Sequence, residues 1–300
     1  MIRRFYVILF VLMGFQFAVN LNVRAQSFDG LHELARRHFN VNQFDSALYY
    51  YKQANSIAPE NFKMYLLFKQ GSSAYELSSY EEAIQYWDAC VHYHDSVENF
   101  NYYSIRRWAA EGLINVYAKK REYRAVIDWA KRMEVFIRAD GGCGTGRYEK
   151  MMQVVFKKST AYHHLHLTDS AIHFLTPYMF GNEHELLLDS GEYQSYVVQY
   201  ISWLQQAGYN QEKLRTQLQE AVKNLQVSLL PAMNENTCKP DPWLTRAKAY
   251  TKFIGIPVHL VNFEIVLHTW GEHHPFTVPR MQEIMRSSNL YKTLVLDGGN

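Results

Sequence analysis

The chain has 300 residues, 48% of them hydrophobic, 20% charged and 15% aromatic, so it holds ample material for a core and lacks the composition of a disordered, collagen-like or linker sequence. Its 31 Lys and Arg against 29 Asp and Glu give a formal charge of +2, but Arg3, Arg4 and Arg24 stand in an opening segment without acids, and a chain starting at Gln26 carries 28 basic and 29 acidic residues. That near-neutral balance lacks the surplus of cations that phosphate contacts require, so no nucleic-acid partner is expected.

In chain order, the first element is the short positive segment Met1–Arg4, followed by the apolar run Phe5–Val19 and by Val23-Arg24-Ala25. The run is shorter than the about 20 residues that a spanning helix needs, and short side chains precede Gln26 at the positions of a cleavage site. This pattern predicts a secretory signal peptide over residues 1–25. No cysteine follows the run closely, which argues against lipid attachment, and no later stretch is apolar for long enough to cross a bilayer. The expectation is an exported protein, periplasmic or secreted, with no membrane span after cleavage. Export permits disulfides, yet the only cysteines are Cys90, Cys143 and Cys238, too few for a zinc ribbon or a disulfide-stapled scaffold. Cys90 falls on an inward helix position and is expected as a buried thiol, which leaves Cys143 with Cys238 as the favoured pair.

From residue 26 to 180 the chain repeats itself. Around Ala47 stand Leu34-Ala35, Phe44, Tyr51, Ala54 and Pro59; around Ala83, at the same kind of offsets, stand Gly71, Ala74, Tyr80, Trp87 and Cys90. Val126 has Leu113-Ile114, Tyr117, Tyr123, Ala130 and Met133, and Ala171 has Ser159, Tyr162, Thr168, Leu175 and Tyr178. Small residues let two antiparallel helices approach, and large ones a turn away fill the gap to the next unit. Each unit therefore reads as helix, tight turn, helix, with turns at Asn40–Asp45, Ser78–Glu82, Lys119–Glu122 and Leu165–Ser170, and with Asp45, Ser79 and Thr168 as N-caps of the second helices. Ala139–Arg147, rich in glycine, reads as an inserted loop.

Over residues 28–180 these units resemble the tetratricopeptide repeat family, most closely in LHELARRHFNVNQFDSALYYYKQANSIAP and FKQGSSAYELSSYEEAIQYWDAC. Family repeats run at 34 residues, whereas the anchors here lie 36, 43 and 45 apart. The resemblance implies an all-α helix-turn-helix solenoid whose first helices line a groove. On that frame Arg36, Phe39 and Asn40, then Phe68, Ser72 and Tyr75, then Asn115 and Lys119, then Thr160, His163 and His164 share one surface. Such residues suit a protein or peptide: Asn, Arg and Lys bond a backbone or carboxylate, and aromatic rings give anchor surface.

After residue 180 the pattern fades. Glu192–Gln206 and Gln211–Leu225 read as a divergent helix pair around residues 207–210, suited to capping an array. Residues 228–245, with Pro231, Pro240 and Pro242, read as a connecting loop; the region 228–300 beyond it is expected to be mainly helical, with helices near Thr245–Phe253 and after Thr277, where Pro279 suits a first turn. The apolar run Val258–Trp270 fits helix or strand, with helix favoured.

Catalytic motifs fail on inspection. Gly141–Gly146 has the glycine spacing of a phosphate loop but not its Lys or Ser/Thr; His184-Glu185 opens like a zinc-protease motif, but Leu188 stands where the second histidine belongs; and no Gly-x-Ser-x-Gly elbow occurs. Histidines gather after residue 160 without a carboxylate or cysteine at ligand spacing, so no metal site, cofactor or catalytic residue is nominated. The expected function is a protein- or peptide-binding scaffold in a bacterial-type envelope or secreted assembly. The competing reading is an enzyme or ligand-binding protein whose site uses Trp243, His268, His273 or His274, with the repeats as its support.

Overall fold

The computed structural model describes residues 27–93, 100–139, 144–180, 190–234, 239–254, 256–260, 267–268 and 277–296. The chain divides into two compact units, one up to Gly141 and one from Gly142 on.

The first unit is a helical repeat solenoid of three antiparallel pairs: α1 (Phe28–Asn40) with α2 (Phe44–Ile57), α3 (Glu60–Glu76) with α4 (Tyr80–Val91), and α5 (Phe100–Lys119) with α6 (Tyr123–Ala139). Each helix packs on the next, and α3 also packs on α5. The anchors occupy the crossings as their spacing requires: Ala35, Ala47, Ala54, Ala74, Ala83, Cys90 and Ala130 are wholly buried, and Tyr51, Trp87, Val126 and Met133 nearly so. Cys90 donates its thiol to the Met64 carbonyl (3.4 Å), and burial pushes the thiol up to about 12. It is a free, buried cysteine. Cys143 and Cys238, the expected pair, lie outside the described residues.

The turns share a device that the sequence conceals. Asn42, Ser78 and Arg121 all have φ near +60°, each five residues before its anchor. The next residue closes the helix with a six-residue backbone bond: Gln43 N–H to His38 O, Ser79 N–H to Ala74 O and Glu122 N–H to Tyr117 O, each 2.9 Å. This is a Schellman cap, usually built on glycine because a β-carbon in the left-handed region costs about 1 kcal/mol. Because the closing residue also starts the following helix, Gln43 and Ser79 are the N-caps of α2 and α4, and neither side chain makes a capping bond. Asp45, expected as a cap, sits inside the first turn, where its charge favours the helix dipole.

The second unit continues the pattern and then leaves it. α7 (Gly144–His164) and α8 (Thr168–Leu175) form the fourth pair, with His166 at φ 61° and Leu167 N–H bonded to Tyr162 O (3.0 Å). Thr168, expected as the cap, is the first helical residue and Leu167 precedes it. Residues 144–147 open α7 as helix, which corrects the loop reading of Ala139–Arg147 at that end; residues 140–143 lie outside the described set. α9 (Ser190–Gln206) and α10 (Gln211–Lys223) follow, and their turn repeats the cap with Gly208 at φ 90° and Tyr209 N–H on Leu204 O (3.0 Å), lengthened by one residue to the N-cap Asn210.

Residues 226–268 correct the expectation for the C-terminal region. The predicted loop at 228–245 and helix at Thr245–Phe253 fall on antiparallel strands β1 (Gln226–Asn234) and β2 (Lys239–Phe253), and the run Val258–Trp270, favoured as helix, overlaps the end of β3 (Ile256–Leu260) and includes β4 (Leu267–His268), both paired with β2. Prolines misled the reading because a β-sheet accepts them at edges and bulges. Strand β1 is an edge, and its register slips between Pro231 and Ala232, where the missing N–H cannot join the ladder. Thr251 and Phe253, two apart on β2, are both buried; Thr251 donates to Ala221 O of α10, and Phe253 meets Phe180 edge-on at 5.5 Å. α11 (Val278–Ser287) starts as expected after Thr277, whose hydroxyl caps Arg280 N–H, with proline in its first turn.

Candidate functional site

The first helices of the three pairs in the first unit lie side by side, and aromatic rings tie them together. Between α1 and α3, Phe28 meets Phe62 at 4.9 Å and His32 meets Tyr65 at 5.7 Å. Further along, the Lys69 ammonium stands over Phe39, Tyr65 and Phe68 at 5.1, 5.6 and 5.7 Å. Burial lowers the pKa of Lys69. Between α3 and α5, Phe68 lies 5.7 Å from Trp108, and the Lys119 ammonium sits 4.4 Å above the Tyr75 ring and 5.5 Å from Tyr80. The bond with Tyr75 raises the pKa of Lys119. Cations held on ring faces gain from the ring quadrupole.

Phe39, Phe68, Tyr75 and Lys119 therefore do meet on one face of α1, α3 and α5, with roles that differ from expectation. Phe39 packs on the core cluster around Tyr51 and edge-on to Phe44 at 5.3 Å, and Tyr75 lies 5.6 Å from Trp87, so both also serve the fold. Ser72 spends its hydroxyl on the Phe68 carbonyl (3.0 Å). Arg36 is exposed and bonded to Glu33 (2.9 Å), which it shares with Arg37; the Arg36 bond, before that of Arg37, pulls the carboxyl down to about 2. Asn40 is exposed, and Asn115 is half-buried and engaged.

His163, His164 and Thr160 belong to the second unit. His163 stacks on Trp203 of α9 at 5.2 Å, with Nδ1 3.3 Å from Thr168 Oγ1, and burial lowers its pKa. Its ring is half-buried and packs in the seam between α7 and α9. His164 is exposed, and the Thr160 hydroxyl is buried. Of the residues named for the competing reading, His268 pairs by its backbone with Leu244 in the sheet, and His273 and His274 lie outside the described residues. Among the described residues no three His, Cys, Asp or Glu gather as for a metal ion, and no helix is long and apolar enough to cross a membrane.

Sequence reasoning missed Lys69 and Trp108. Trp108 is 41% exposed although α5 has a fully buried side, and Arg107 flanks its ring at 5.8 Å. A tryptophan just before the small pair Ala109-Ala110, off the repeat's inward positions, is the signal that could have found it. No protein-family model matches the chain, and no characterised protein sequence matches it either.

Proposed function

We propose that the chain is an exported member of the tetratricopeptide-repeat kind that binds a protein or peptide segment within a cell-envelope or secreted assembly, using the face of α1, α3 and α5. The observation that carries the reading is the exposed Trp108 ring, 5.7 Å from Phe68 and flanked by Arg107, on the helices whose rings also hold the Lys69 and Lys119 ammoniums. An exposed aromatic ring beside cations has the composition of an interaction hot spot. The four helix pairs with shared spacing and shared caps support kinship with that repeat kind, and Met1–Ala25 supports export. The test is affinity for the partner recovered by pull-down from an envelope fraction. Trp108→Ala and Lys119→Ala are expected to weaken it by roughly tenfold or more each. Undiminished binding by the double variant, with a melt like that of the unaltered protein, would remove this face from the account.

A further inference from the structure

We infer that the outward side of α6, with the turn leading into it, is a docking surface for an anionic phospholipid bilayer. Charge in the first unit is unevenly spread: residues 27–118 hold seven Lys and Arg against eleven Asp and Glu, whereas residues 119–139 hold seven against three. The buried side of α6 carries Val126, Ile127, Ala130, Met133 and Ile137. At about 100° per residue, Arg124, Lys131, Val135 and Arg138 fall together on the opposite side, and all four are exposed, with Arg132 beside them. The Arg132 guanidinium is braced 4.6 Å over the Trp129 ring.

The acids on this side do not neutralise it. Asp128 stands 3.9 Å from Lys131 and Glu134 stands 3.5 Å from Arg138, and the two cations remain 57% and 65% exposed in these pairs. The exposed Lys131–Asp128 pair is held weakly, and Glu134, itself only 14% exposed, leaves most of the Arg138 side chain in solvent. Lys120 is engaged by Glu81 and Glu122, but Arg121 at the turn is exposed and adds to the row. The result is close to one cation per turn along a helix of about 25 Å.

Protein hot spots set arginine among aromatic anchors in desolvated pockets. The large apolar side chain exposed here is Val135 alone among the described residues of α6, and it rises between Lys131 and Arg138. A straight row of cations on the outside of a helix matches a plane of headgroup phosphates, where each charge gains from the same surface potential and a short aliphatic side chain reaches only the interface.

The experiment is sedimentation of the full protein with vesicles of phosphatidylcholine, with and without about one-third phosphatidylglycerol, at low and high salt. Binding that requires phosphatidylglycerol and fades in high salt is expected, and Lys131→Gln/Arg132→Gln/Arg138→Gln should weaken it by roughly tenfold or more with an unchanged melt. Arg37→Gln/Lys52→Gln/Lys63→Gln removes the same charge elsewhere and should leave binding near that of the unaltered protein. Indifference to phosphatidylglycerol, equal loss in both triple variants, or retention by polyglutamate without retention by vesicles would overturn the assignment; the last would give the face to an acidic protein.

Discussion

Replacing Gly71 of α3 by alanine should destabilise the protein, against the usual sign of that change in a helix. In an exposed helix interior, alanine gains about 1 kcal/mol over glycine. Here a β-carbon on Gly71 would stand 2.5 Å from Cδ1 and Nε1 of Trp87, and a β-carbon on Gly112 of α5 would stand 2.7 Å from the other edge of the same indole. The ring is 4% exposed and is held by Nε1–H donating to Phe68 O at 3.2 Å, so it cannot swing from one glycine without striking the other helix. Overpacking of a rigid ring costs about 1–3 kcal/mol, and the contact here falls at the upper end because both helices must separate, so the net expectation is a loss of about 1–2 kcal/mol. Thermal or urea unfolding of Gly71→Ala, read by a probe in residues 28–139, measures it. The same change placed on Trp87→Leu should be neutral or stabilising, since the propensity gain remains and the ring is gone. A stabilised Gly71→Ala protein with Trp87 in place would refute the wedge between the helices.

Two further expectations concern the caps and pH. Arg121→Gly relieves the β-carbon at φ +59° and should raise stability by about 0.5–1 kcal/mol in a melt, after the entropy that glycine adds to the unfolded chain is counted; Lys119→Gly, a helical residue, should lower it. His32 and His163 both have pKa values lowered from 6.5, burial being the largest cause in each, so the unfolded chain takes up protons first as the pH falls. Stability should therefore drop as the pH passes below 6.5 and level off once both folded-state values are passed; a melting temperature that stays flat or rises between pH 7.5 and 5 in proteins whose carboxylates are unaltered would contradict the seam placement of these rings.

What the sequence revealed follows the strength of its local signals. Ala47, Ala83 and Ala171 could be read as crossings because only small residues allow two helices so close, and the periodic aromatics around them leave one packing solution. The caps were not readable as a set, because no glycine marks these four turns: Asn42 and His166 tolerate the left-handed position, but Ser78 and Arg121 are not residues that it favours, and tertiary packing of the pair imposes it on them. The sheet was missed for the opposite reason: Pro231, Pro240 and Pro242 are strong local breakers, and strand pairing across residues 226–268 is a long-range property that overrides them. For the proposed face, residue type singled out Phe39, Phe68, Tyr75 and Lys119, which the fold brings onto α1, α3 and α5, but not the contacts that these side chains make. Phe39 and Tyr75 share their rings with the core, whereas Lys69 and Trp108 each depend on a ring across a helix boundary, Phe39 for Lys69 and Phe68 for Trp108.

The central claim, that the α1, α3 and α5 face engages a protein segment, is tested most directly by site-specific photo-crosslinking in the intact envelope. A photoreactive phenylalanine analogue at Trp108 reports on that face, and the same analogue at Tyr49, which is 59% exposed on α2, reports on the other side of the repeats. The account predicts discrete protein adducts from position 108 that disappear in the Lys119→Ala background, and none from position 49. Adducts from position 49 with none from position 108 would contradict it.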